Sequence, residues 1–367
     1  MDSGSYTFKD LEAKYGSFLA PSFTVKVGGA PLDAVKTPVS SLSVDIDAGA
    51  GAGGCRFTIE SKYDQKRSAW EDDLLGLVEV GKKLEIEMGY VKKKQVFYGF
   101  IDDCAVEYTV GAAPRVTVSG IDAKGFLMNS VNIKYMGEKE GKAVVDELLG
   151  RCLQKNLATK KTVGALPKYT AKLIQDKQTD YAFLCRLAEM FCVQFFIVNG
   201  EIVFDNVIKN TNPVLTLTNG IGLISFSKKL SLRRQIGKVV VTGNGADTKA
   251  ISGEATSTSL GGGGSEAQKK ASGVVGDAEI SEYSEFVRSP QECKQLAQAI
   301  YDARALDFVS GEGKCIGIPE LIPGRYIAIE GLDKGSNDKY YVSKVTHQYS
   351  DKDGYLTTFQ IKGAKSK

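Results

Sequence analysis

Only one histidine, His347, and one tryptophan, Trp70, occur in the 367 residues. A single imidazole leaves Ser-His-Asp or Cys-His hydrolysis, and any histidine-bearing zinc site, one residue to run through. His347 stands mid-strand among alternating apolar residues in KVTHQYS, the setting of a cross-strand packing or edge residue rather than of a base. An excess of one charge is also missing. The 47 Lys and Arg stand against 44 Asp and Glu, which removes the electrostatic reason for a nucleic-acid or anionic-membrane partner. The runs Lys92 to Lys94 and Lys160-Lys161 read as solvated turns. No apolar run approaches the ~20 residues of a bilayer span, the longest being broken by Gln194 and Gly200. The amino terminus, MDSGSYTFKDLEAKYG, has neither a basic region nor an apolar core, so no secretory signal is expected. The 7 cysteines include no CxxC pair, and an odd number cannot all pair within one chain. A reduced, cytoplasmic site of assembly is expected. Cys185 and Cys192, seven apart on an apolar helix, read as small buried hydrophobes.

Chemical motifs are equally scarce. GLVEVGKK, Gly76 to Lys83, satisfies G-x-x-x-x-G-K, but Lys83 follows where a hydroxyl must hold magnesium, and the stretch leads into a strand instead of a helix. DIDAGAG from Asp45 begins like a calcium loop, yet Gly49 occupies the third ligand position and no Glu closes it. Asp72-Asp73 and Asp102-Asp103 are paired carboxylates of the kind that cleave glycans, but sequence neighbours on a strand point to opposite faces. No cofactor is expected.

What is present is β-structure. The hydrophobic share of 43% and charged share of 25% are those of a globular chain, and the length calls for two or three domains. From Ser22 to about Asp122 six stretches alternate with period two: SFTVKV, SLSVDID, CRFTIES, KKLEIEMGY, QVFYGFIDD and RVTVSGID. One interruption, RSAWEDDLLGL, predicts a short helix with Ser68 and Glu71 as a capping box. Its Trp70, Leu74 and Leu75 form a candidate assembly interface. Trp70 either packs on the barrel or supplies a buried aromatic to a subunit contact.

Between Phe126 and Asn206 the period becomes helical. GKAVVDELLGRCLQ places Val144, Leu148 and Cys152 on one face, and TDYAFLCRLAEMF places Phe183, Leu184, Leu187, Ala188 and Phe191 on another, with Thr179 or Asp180 as cap. VQFFIVNGEIVFDN then predicts a hairpin turning at Asn199-Gly200 in type I′ geometry. Strands resume at VLTLTN, LISFSKKLSL and GKVVVTGNG. From Gly245 to Glu285 small and polar residues, GGGGS among them, predict a mobile surface loop. SPQECKQLAQAIYDARALDF restarts the fold as a helix, with Ser289 as cap, Pro290 first and Glu292 closing the box. Three further strands are expected in GKCIGIPELIPGRYIAIEGL, KYYVSKVTHQYS and GYLTTFQIKG.

The two ends repeat one another. Gly81-Lys82 aligns with Gly324-Arg325, Leu84 to Glu87 with Ile327 to Glu330, VFYGFIDDCAVEY with KYYVSKVTHQYS, and RVTVSGID with LTTFQIKG. Each copy is a tight glycine turn, an alternating strand, a paired strand and a closing strand. The expected fold class is therefore mainly β (α+β): two tube-like antiparallel β-barrel domains related by internal duplication, with an α/β module between them. The boundaries are 1–125, 126–208 and 209–367, with a flexible insertion at about 245–285 in the last. Three such chains around a threefold axis would present six barrels.

These strands, with the central TDYAFLCRLAEMFCVQFFIVNGEIVF, resemble the phage late control D protein, the tail hub of contractile phages, and the amino-terminal part of the valine-glycine-repeat spike proteins of type VI secretion. The resemblance covers Ser22 to Gly363 apart from the 245–285 segment. It implies a non-enzymatic homotrimeric hub under a hexameric tail tube protein, contacting a central spike and other baseplate proteins in a virion or tail-like particle. With the chain ending shortly after the second barrel, the spike is expected to be a separate protein. The alternatives are a peptidoglycan-degrading tail component and a glycan-binding β-rich adhesin.

Overall fold

The computed structural model describes residues 4–32, 37–49, 51–60, 63–70, 73–129, 131–166, 170–245, 247–260 and 273–365. Its amino-terminal arm carries helix α1 (Phe8–Lys14), capped by reciprocal bonds between Thr7 and Asp10. The strands β1 (Ser22–Val27), β2 (Ala30–Pro31), β3 (Val39–Asp47), β4 (Gly54–Ile59), β5 (Tyr63–Asp64) and β6 (Ala69–Trp70) follow, then helix α2 (Leu74–Leu77) and strands β7 (Lys83–Gly89), β8 (Lys93–Glu107) and β9 (Arg115–Ile121). All six alternating stretches are strands, paired in the order β1-β7-β8-β9-β4-β3. Their period-two apolar residues, such as Leu42, Val44, Ile46, Leu84, Ile86 and Met88, are buried on one face.

The helix expected from Ser68 is corrected. Ser68 has a φ of 51° and ends the turn of the β5–β6 hairpin, in which Asp64 Oδ1 accepts from the amides of Lys66 and Arg67. That aspartate-driven turn competes successfully with helix nucleation. The helix begins only at Leu74, and Glu71 lies outside the described residues.

The middle module comprises α3 (Ala123–Leu127), β10 (Val131–Glu140), α4 (Gly141–Gln154), β11 (Lys160–Val163), β12 (Thr170–Thr179), α5 (Asp180–Met190), β13 (Gln194–Val198) and β14 (Glu201–Asp205). Helices α4 and α5 bury the predicted faces, and Thr179 Oγ1 caps α5 by accepting from Ala182. They share one apolar core with the sheet β11-β14-β13. Asn199 and Gly200 have φ values of 52° and 80°, the type I′ turn that their pairing predicts. The two-stranded ribbon of β10 and β12 was not legible in the periodicity.

The last part holds β15 (Pro213–Asn219), β16 (Gly222–Leu230), β17 (Lys238–Asn244), β18 (Ala250–Ala255), β19 (Glu279–Tyr283), α6 (Pro290–Ala305), β20 (Val309–Ile316), β21 (Tyr326–Glu330), β22 (Lys339–Ser350) and β23 (Gly354–Gly363). Strands β15-β21-β22-β23-β20-β16 close into a six-stranded barrel, with β16 returning to β15. Two expectations are corrected. The segment after Gly245 is not wholly a loop, because β18 and β19 flank β17 in a separate three-stranded sheet. Val239, Val241, Ala255 and Ile280 pack there against Cys293, Ala297 and Tyr301 of α6. Backbone pairing and this shared apolar layer offset the poor composition. Strand β17 consequently belongs to that layer and not to the barrel. GGGGS lies outside the described residues.

The duplication is visible in the topology. In chain order the barrel strands are β1, β3, β4, β7, β8, β9 in the first unit and β15, β16, β20, β21, β22, β23 in the second. Both are arranged first, fourth, fifth, sixth, third, second. Gly81 and Gly324, with φ values of 89° and 80°, stand in the turn just before the fourth strand in each. Two differences are clear. The first strand is antiparallel to the fourth in the first unit and parallel in the second. Among the described residues only the second unit closes on itself, whereas β3 of the first pairs instead with β22 of the second.

His347 points into the closed barrel, fully buried, with Nδ1 2.8 Å from Tyr355 Oη and 3.1 Å from Thr357 Oγ1. Burial depresses its pKa from 6.5 to about 3. The unfolded chain then binds a proton that the folded barrel excludes, so the contribution is whole above about pH 6.5 and is lost as pH falls toward 3. The stability gap between wild type and His347→Gln, measured by urea unfolding, should narrow by about 1.4 kcal/mol per pH unit below pH 6. A gap independent of pH would show that the imidazole is not held neutral by burial.

Candidate assembly interface

The loop between the third and fourth strands of the first unit separates the three residues singled out there. Trp70 is half-buried, its ring centroid 5.2 Å from Tyr63 in an edge-on contact, and Tyr63 is 5.5 Å from Tyr108. The Trp70 Nε1 atom is buried with no hydrogen-bond partner among the described residues. Leu75 is 41% exposed. Leu74 is fully buried in the barrel core and offers no surface of its own. Tyr63 and Tyr108 complete an aromatic platform that spacing alone did not reveal, because 45 positions separate them.

Beside this platform runs an open strand edge. Among the described residues, β8 pairs with β7 only through Phe100, and from Asp103 to Glu107 it pairs only with β9. The ladder slips between Ile101 and Asp103, a bulge that leaves both Asp102 and Asp103 exposed. The expectation that these carboxylates face opposite ways therefore fails at the bulge. They lie exposed on a strand edge. In the second unit β16 pairs with β20 from Leu223 to Leu230, while among the described residues its other side meets β15 only at Gly222 and Leu223. A further surface is the ribbon of β10 and β12, whose Val131, Ile133, Tyr135 and Ile174 are each about half or more exposed.

The stretch that began like a calcium loop is filled from within. Lys124 Nζ donates to the carbonyls of Asp47, Gly49 and Gly51, at 3.3, 3.0 and 2.6 Å. The lysine is fully buried, and burial lowers its pKa even though Asp122 and Asp47 oppose that shift. Asp122 accepts from the amides of Gly53 and Lys124, and its own burial raises it to about 6. An ammonium thus does here what a metal would do, collecting carbonyls at a tight turn. The amino-terminal arm uses the same economy. Tyr15 Oη and Lys14 Nζ both donate to Oε1 of buried Glu320, at 2.7 and 2.6 Å, pinning α1 to the second barrel. Burial, reinforced by Glu320, pushes the Tyr15 hydroxyl well up. Gly76 to Lys83 leads into β7, and Lys82 Nζ donates to the Gly76 carbonyl, so this turn is occupied by its own lysine.

All seven cysteines are free. Cys185 and Cys192 are half-buried, and Cys192 falls beyond the helix with a φ of 50°. Burial pushes the thiols of Cys152 and Cys192 up to about 11 and 12, far from nucleophilic ionisation. Among the described residues no cluster of metal-ligating side chains occurs, and no helix is long and apolar enough to cross a membrane.

Two β-units of one strand order, joined along a strand and accompanied by an α/β module, form the fold of phage tail proteins. The chain matches the 43 kDa tail protein of prophage MuSo2 from Shewanella oneidensis with a TM-score of 0.63 at 14% identity, over 93% of this chain and 98% of that one. The tail protein from Neisseria meningitidis MC58 gives 0.64 at 14% identity, over 94% and 97%. The c3393 protein of E. coli, a type VI secretion component structurally similar to T4 tail proteins gp27 and gp5, gives 0.53 at 12% identity, over 92% and 76%. In sequence the chain belongs to the family described as the Alg8 N-terminal domain, which matches residues 22–351. No curated protein matches it.

Replacing Lys124 with Met keeps the stem but leaves three carbonyls without their cation. Urea unfolding should show a loss of about 3 kcal/mol. A loss below about 1 kcal/mol would mean that the turn holds itself.

Proposed function

We propose that this chain is a structural hub of a contractile tail or tail-like injection machine. Three copies close into a ring of six β-units, with a hexameric tail tube protein on one face and a threefold central spike on the other, among other baseplate proteins. The observation that carries this reading is the shared strand order of the two units and the strand ladder that joins them within one chain. A chain with two equivalent units matches sixfold to threefold symmetry, because three chains present six similar surfaces. The likeness to tail proteins supports a role in a particle. A structural role is also favoured by the site itself: the lone imidazole is sealed in a barrel, burial pushes the thiols of Cys152 and Cys192 up, and the Asp102-Asp103 pair lies on an exposed strand edge.

The test is the mass of the purified protein together with its shape. Native mass spectrometry should find a species of three times 39.5 kDa, and negative stain a six-lobed ring. A protein that stays monomeric at high concentration, with or without tube protein, would sink the hub reading.

Trp70, near the end of β8 through Tyr108, and exposed Leu75 belong to this proposal as surface. Trp70→Ala should shift the trimer toward monomer in size-exclusion chromatography by about tenfold in midpoint concentration, as expected for loss of an aromatic anchor, with little change in the monomer's melting temperature. A fall in melting temperature with unchanged assembly would assign Trp70 to packing alone.

A further inference from the structure

The two units of one chain meet along a seam whose details can be transferred. Residues Ser41–Asp47 of β3 run antiparallel to Lys344–Ser350 of β22, with Lys344 opposite Asp47, Thr346 opposite Asp45 and Gln348 opposite Ser43. On the outer face Thr346 Oγ1 donates to Asp45 Oδ1 at 2.7 Å, and Lys344 Nζ lies 3.7 Å from the same oxygen. On the inner face Val44, Ile46, Val345 and His347 are buried. The second strand of the first unit is thereby joined to the fifth strand of the second.

The equivalent strands in the opposite units are β16 and β8, and the ladders fix the equivalence residue by residue. The β8–β9 ladder slips between Ile101 and Asp103, as the β22–β23 ladder slips between Val342 and Lys344. The β16–β20 ladder slips between Leu223 and Ser225, as the β3–β4 ladder slips between Val39 and Ser41. Asp103 therefore corresponds to Lys344, Ala105 to Thr346 and Glu107 to Gln348, while Ser227, Lys229 and Ser231 correspond to Ser43, Asp45 and Asp47. These are the strand edges that stay open: among the described residues, no strand covers the outer side of Asp103–Glu107 or of Ser225–Leu230.

We propose that β8 of one copy adds to β16 of the next along these edges, antiparallel, with Ala105 opposite Lys229. The proposal rests on the ring reading and names its intersubunit contact. Each open edge presents unpaired backbone donors and acceptors, which strand addition satisfies. The charges are complementary in the transferred register: Lys229 falls diagonally between Asp103 and Glu107, with exposed Arg233 continuing the basic side toward Asp102, while Arg234 lies 3.6 Å from Asp307 of its own unit. The sign is reversed from the internal seam, where the lysine is on the fifth strand and the aspartates on the second. That reversal discourages a second strand β8 or β16 from pairing with its own kind. On the inner face Cys104, Val106 and Tyr108 meet Leu230, Lys228 and Phe226. Leu230 is 50% and Tyr108 59% exposed in the single chain, where their seam counterparts Ile46 and Tyr349 are 3% exposed and half-buried. The Lys228 ammonium already bonds the Gly335 carbonyl, so its stem lies along the strand while its charge is held in its own unit. Three such contacts alternate with three internal seams and close the ring head to tail.

Charge exchange and cross-linking test this. The double variant Asp103→Lys, Glu107→Lys should weaken the trimer at least tenfold by mass photometry, and adding Lys229→Glu should restore it. In a Cys104→Ser background, Ala105→Cys with Lys229→Cys should oxidise to a ladder ending at trimer, while Ala105→Cys with Ser225→Cys should not. Wild-type hydrogen exchange should show slowed amides at 103–109 and 225–231 in the trimer relative to dilute monomer. A trimer that is indifferent to the charge exchange, fails to cross-link and leaves these amides unprotected would overturn the edge pairing while leaving the hub intact. A chain that never trimerises would overturn both.

Discussion

One strand, β22, holds the molecule together by serving three neighbours. Its first residues complete the second barrel beside β21, and at the bulge after Val342 it turns away to accept β3 of the first unit, while β23 runs beside it from Tyr341 to Ser350. Backbone hydrogen bonds thus cross the boundary between the two units without interruption. A hinge is therefore excluded at this point, since bending would break a ladder instead of sliding one surface on another. The core reflects this continuity, because the apolar residues of both units form one cluster.

The units have diverged where each meets something different. The first carries its additions between the third and fourth strands, as the β5–β6 hairpin and α2. The second carries the layer of β17 to β19 and α6 between the second and third strands. Common strand order with additions at different joints is what duplication followed by specialisation leaves behind, because turns accept insertions that staves do not. The amino-terminal arm binds the outcome from outside. Tyr6 pairs with Leu215, Arg325 reaches the Gly4 carbonyl, and α1 is anchored on Glu320.

Much of this was legible in the sequence because it rests on local periodicity. The six alternating stretches of the first unit, the faces of α4 and α5, the Asn199-Gly200 turn and the capped start of α6 all follow from side-chain spacing and local backbone chemistry. The failures are non-local or competitive. Ser68 and Glu71 satisfied a capping pattern, but Asp64 had already captured the neighbouring amides for a turn. Strands β18 and β19 look like linker until their few apolar residues are given α6 to lie against. The aromatic platform around Trp70 joins residues of β5 and β6 to Tyr108, just past the end of β8, and the open edges of β8 and β16 are properties of pairing, which no single stretch records. Leu74 and Leu75 show the same limit: adjacent and alike in sequence, one faces the core and the other solvent.

The turn closed by Lys124 has a material consequence. A loop of glycine carbonyls that draws its cation from solution loosens wherever that ion is scarce or sequestered. This one carries its positive charge on a tethered side chain, at an effective concentration no chelator can lower. The joint between β3 and β4, on which the strand at the seam depends, is thus indifferent to the ionic make-up of whatever medium surrounds it.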